Sequence, residues 1–111
     1  MIGRVLLDTE VFYVTQGLLG GITCTHKLGG ITRKASLSQR LYLTRIIDAM
    51  KLQGVEVVPG SAPVERALGW FASAVSDQGS MADVMMRNTG PEMMASIFMN
   101  PAPRVEPFPE D

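Results

Sequence analysis

The chain has 111 residues, of which 46% are apolar and only 19% charged, with a formal net charge of −1. That length makes one domain around one modest core, and the near-neutral balance argues against a general polyanion binder, whose domain is usually strongly basic. The single cysteine, Cys24, rules out an intramolecular disulfide and suits a reducing compartment.

Taken in order, residues 2–7 form a short apolar run that suits a strand or a packed arm. Asp8 then reads as an N-cap, with Leu7 and Phe12 placed as a hydrophobic staple. Over 9–19 the apolar Val11, Phe12, Val14, Leu18 and Leu19 share one helical face, which predicts a helix. Five β-favouring residues in a row, Val11 to Thr15, compete with that reading. Residues 17–35 make a basic, glycine-rich stretch in which Leu19-Gly20-Gly21-Ile22-Thr23 recurs as Leu28-Gly29-Gly30-Ile31-Thr32. Two glycine turns, each followed by a β-branched pair, predict a short hairpin or a curled loop.

The segment 36–54 is the best-specified helix. Ser36 and Gln39 have capping-box spacing, and Gly54 suits a left-handed C-terminal cap. Its apolar face is broad, and Leu41 and Leu52 sit among the charges on the opposite side, so it is expected to be central, with neighbours on two sides. The stripe Val64, Leu68, Phe71 and Val75 on the next helix is expected to pack against it. That helix opens at Ser61-Ala62-Pro63 and stops by Gly79. A short third helix starts at Ser80, and a further one runs from Pro91 to the residues before Pro101. Residues 100–111, with prolines at 101, 103, 107 and 109, predict an extended, polyproline-like arm carrying Val105 and Phe108. The expected fold is therefore mainly α. It is a single domain over 1–99, a small bundle of four to five helices with a Gly-rich loop or short hairpin at 17–35 and an extended Pro-rich C-terminal arm at 100–111.

Little in the chain carries chemistry. Cys24 and His26 are two apart, but one thiol and one imidazole without a third placed group make a poor catalytic set. Two soft ligands are too few for structural zinc. The glycine turns match neither G-x-x-x-x-G-K-[ST] nor G-x-G-x-x-G. The expectation is a non-enzymatic protein with no cofactor and no metal.

Charge is unevenly distributed. Residues 20–54 carry Lys27, Arg33, Lys34, Arg40, Arg45 and Lys51 against Asp48 alone, whereas 55–111 hold eight acids against three arginines. Such a split marks an interaction surface or two halves that neutralise each other. Six of the eight methionines lie between 81 and 99, more than two short helices bury against each other, and Met-rich surfaces suit docking. The function expected is that of a structural or interaction subunit docking into a larger assembly, such as a virion or connector-type component or a small protein inhibitor. Trp70, Met85, Met94, Phe98 and Phe108 would be its partner-binding anchors, and other protein subunits, in a homo- or hetero-oligomer, its partners. The alternative is a small nucleic-acid-binding regulator contacting phosphates through Lys27, Arg33, Lys34, Arg40 and Arg45. No apolar run approaches the ~20 residues of a membrane span, and the N-terminus lacks a secretory h-region. A cytoplasmic or particle-associated protein with no membrane partner is expected.

Overall fold

The structure, a computed structural model, describes residues 3–99; the proline-rich segment and Phe108 lie outside them. Four strands come first, β1 (Arg4–Asp8), β2 (Phe12–Gln16), β3 (Ile22–His26) and β4 (Ile31–Lys34), followed by four helices, α1 (Leu37–Leu52), α2 (Ala62–Ser76), α3 (Met81–Asn88) and α4 (Pro91–Met99). The strands form one antiparallel meander in the order β1-β2-β3-β4. The fold is thus α+β, which corrects the expectation of a mainly helical bundle.

The error lies in residues 9–19, which are not helical. Asp8 ends β1 instead of capping a helix, and Thr9 closes the turn, accepting from the Phe12 amide at 3.0 Å on its hydroxyl while its own N–H donates to the Phe12 carbonyl at 2.9 Å. Within β2, Val14 points inward and is buried, and its neighbours Tyr13 and Thr15 are only partly covered. The β-favouring run prevails because β2 pairs on both sides, with β1 and with β3, and so satisfies its backbone through partners distant in sequence.

The internal repeat also resolves. Each copy is a turn plus the start of the next strand: the first leads into Ile22 of β3, the second into Ile31 of β4. Gly20 at φ +91° and Gly30 at φ +65° supply the left-handed positions those turns need. The 17–35 region therefore contains a hairpin, β3–β4, not a curled loop.

Leu7, Val14 and Cys24 stand side by side across the sheet and, with Ile22, form its buried face. Helix α2 covers that face with Val64, Leu68, Phe71, Ala72 and Val75. The same helix turns Ala67 toward a second cluster, built from Ile46, Ala49 and Met50 of α1 and Met94, Ala95 and Phe98 of α4. Helix α2, not α1, is the central element, since it packs against all four strands and the other three helices. Its Val64–Val75 stripe meets the sheet, and α1 adds only Leu43 to that cluster.

Local signals at the helix ends hold. The Ser36 hydroxyl accepts from the Gln39 amide at 3.1 Å, and the Gln39 side chain accepts from the Ser36 amide at 2.7 Å. At the other end Gly54 (φ +86°) donates to Lys51 and Val55 donates to Met50, a Schellman closure.

Gly3 lies against the end of β2. A Cβ there would sit 1.7 Å from the Gln16 carbonyl oxygen, so any side chain forces the backbone apart. Gly3→Ala is expected to lower stability by about 1–3 kcal/mol, as other overpacked sites do, with loss of protection at the Arg4 end of β1. Thermal unfolding and hydrogen exchange check this; an unchanged melting temperature would contradict it.

Candidate functional site

Cys24 lies on β3. It is fully buried on the inner face of β3, and burial pushes its thiol up to about 12, so it stays protonated at neutral pH. His26, two residues on, stacks at an angle against Phe12 with ring centroids 5.3 Å apart. Among the described residues no group of three or more His, Cys, Asp or Glu could hold a metal ion, and no helix is long and apolar enough to cross a membrane.

The five cations considered for phosphate contact are not gathered into one free patch. The Lys27 ammonium lies 2.6 Å from Asp8 and near the Tyr13 ring. Arg40 donates to the Gly20 carbonyl at 3.1 Å, and Arg45 lies 3.5 Å from Glu92. Arg33 and Lys34 project from opposite faces of β4, an edge strand all of whose residues are exposed. Charges on an edge strand discourage strand-to-strand association, which gives these two residues a structural role.

The aromatic and methionine anchors also fall differently from expectation. Met94 and Phe98 are 1% and 5% exposed and belong to the helical core. Trp70 is half-buried between Tyr42 and Phe98, at 5.8 and 5.7 Å between ring centroids, and Met85 packs on the edge of the same cluster. These four side chains hold α4 on α1 and α2. Arg66 of α2 adds to that, donating from Nε to the Phe98 carbonyl at 2.9 Å.

The exposed apolar surface lies elsewhere. Leu37 and Leu41 are one turn apart on α1, on the side opposite Ile46 and Met50. Leu18 and Leu19 cap the β2–β3 turn. The Arg40–Gly20 hydrogen bond ties that turn to the first turns of α1, so the two leucine pairs are carried by neighbouring segments at one corner of the molecule. They are 67% (Leu18), 100% (Leu19), 62% (Leu37) and 55% (Leu41) exposed. Beside Leu18 and Leu19 a depression of about 520 Å³ opens onto Thr15, Thr23 and Lys34. Sequence reading noticed Leu41 as misplaced but assigned Leu18 and Leu19 to a helix face. The available signal was two leucines directly before a Gly-Gly turn.

A second concavity of about 480 Å³ lies between β1 and the α1–α2 pair. Its floor includes Ile22, Leu43, Val64 and Leu68, and its rim carries Arg4, Asp48 and Lys51. The floor is already buried by the fold, so covering it removes little apolar area from water. The leucine corner offers much more, and it is the better candidate for a contact surface.

No family model, no curated protein and no solved structure matches this chain.

Proposed function

We propose that this chain is a non-enzymatic structural subunit that assembles with further copies of itself through its leucine corner. The observation that carries this reading is the set Leu18, Leu19, Leu37 and Leu41, exposed together on a chain with few charges to cover its surface. Fully burying one leucine is worth roughly 1.5–3 kcal/mol relative to leaving it in water. Four together supply about 6–12 kcal/mol at full burial, set against an association cost of roughly 4–15 kcal/mol. The buried, protonated thiol is consistent with a protein that acts by contact and not by chemistry. The scattering and pairing of the basic residues favour this reading over nucleic-acid binding.

The test is a double substitution, Leu19→Ser with Leu41→Ser. Both side chains are exposed, so the fold should be kept and the circular dichroism spectrum unchanged. In size-exclusion chromatography the wild-type chain should elute above the 12.0 kDa of one chain and the variant at that mass. A variant that elutes like the wild type would refute the role of the corner.

A further inference from the structure

Residues 100–111 lie outside the described residues, but their sequence has a period of two. The prolines at 101, 103, 107 and 109 all fall on odd positions, and the odd position between them is Val105. In an extended strand alternate residues share one face and turn their backbone groups to one edge. The odd positions therefore make a wholly apolar face, and only Val105 among them has an N–H to leave unpaired. The even positions Ala102, Arg104, Glu106 and Phe108 keep every donor on the opposite edge. Each proline also holds the residue before it extended, which sets Ala102, Glu106 and Phe108 for a strand in advance. This is the pattern of an edge strand that pairs on one side only.

The fold offers that side beside the end of α4. Among the described residues β1 pairs only with β2, which leaves its other edge open. Three consecutive residues of β1, Arg4, Val5 and Leu6, line the concavity of about 480 Å³, so it opens along that edge. Among the described residues no part of β4, the opposite edge, lines it. Val57 lines it as well and packs on both core clusters. Arg66, about half a turn beyond the lining Val64 on α2, donates to the Phe98 carbonyl at 2.9 Å. The last turn of α4 thus lies next to the concavity. At about 3.3 Å per residue, the segment after Met99 spans about 40 Å, more than β1 requires. The small apolar area left on the floor is a weak site for a separate protein. It suffices for a tethered segment, whose effective concentration is of roughly millimolar order.

We infer that residues 101–109 add to the open edge of β1 of their own chain as a fifth strand. Their proline face turns into the concavity between β1 and the α1–α2 pair, and their even-numbered residues pair with β1. This goes beyond the self-assembly reading and does not depend on it.

Hydrogen exchange of the full chain, read residue by residue by nuclear magnetic resonance, tests the strand. Corrected for intrinsic rates, the Arg104 and Glu106 amides should exchange at least about tenfold more slowly than the Val105 amide between them. Equal exchange at all three would overturn the proposal. Single prolines probe the same phase, with the helix and sheet amides as the reference for an intact fold. Val105→Pro should keep the protection at Arg104 and Glu106, because the N–H it removes faces water. Glu106→Pro should abolish the protection at Arg104. Equal tolerance of the two substitutions would contradict a paired strand. Dilution should leave the protection unchanged; protection that fades on dilution would place the segment on a second copy and refute docking within the chain.

Discussion

Phe71→Ala should cost about 3–5 kcal/mol of folding stability, the range for truncating a buried phenylalanine. Phe71 is fully buried, and it lies where α2 crosses the sheet, with Leu7, Val14 and Cys24 in the same cluster. Among the described residues it is the largest fully buried side chain. A domain of this length holds roughly 5–15 kcal/mol in total, so the variant loses a large share of its stability. Urea unfolding followed by far-ultraviolet circular dichroism measures the loss. Truncating an exposed residue of similar chemistry, Leu52→Ala, should change stability by less than about 0.5 kcal/mol. Equal effects from the two would mean that α2 does not seal the sheet.

Alkaline pH should destabilise the protein through Cys24. The unfolded thiol ionises near its ordinary 9.0, whereas the buried thiol holds its proton to about 12. Below 9 both states are protonated and the stability is fully present. Between 9 and 12 only the unfolded chain releases the proton, so stability falls as pH rises, at up to about 1.4 kcal/mol per pH unit. Tyr42 acts in the same direction above 10, because burial and then the nearby Glu92 charge raise its phenol above the ordinary 10.0. The window from 9 to 10 isolates the cysteine. There, denaturant midpoints of the wild type should fall with pH, and those of Cys24→Ala should fall less steeply, whatever packing the substitution costs. Parallel slopes would contradict the burial of the thiol. The same burial predicts that disulfide reagents label Cys24 only on unfolding.

The helical half of the fold was legible because its determinants are local. Ser36 with Gln39, Gly54, Pro63, Ser80 and Pro91 each act on backbone within a turn of themselves, and each marks an element boundary as expected. The sheet was not legible because its determinants are not local. Val11 to Thr15 carries helical spacing and β-favouring composition together, and pairing with residues 22–26 decides between them. The same limit explains the contact surface. On α4 two apolar pairs sit one residue out of phase, Met93 with Ile97 and Met94 with Phe98. Periodicity shows that both exist, and only the position of Trp70 and Met50 in space makes the second pair the buried one. Leu18 and Leu19 became visible as a surface only once their segment proved to be a turn held against α1 by Arg40.

That corner is where fold and proposed function meet. The meander projects the β2–β3 turn, the capping box starts α1 directly after β4, and Arg40 joins the two, so four leucines stay outside a core already closed by α2. The most direct measurement is the mass of the wild-type chain by sedimentation equilibrium across a micromolar concentration series. The account predicts a weight-average mass that climbs with concentration above 12.0 kDa; a mass that stays at one chain throughout the series would contradict it.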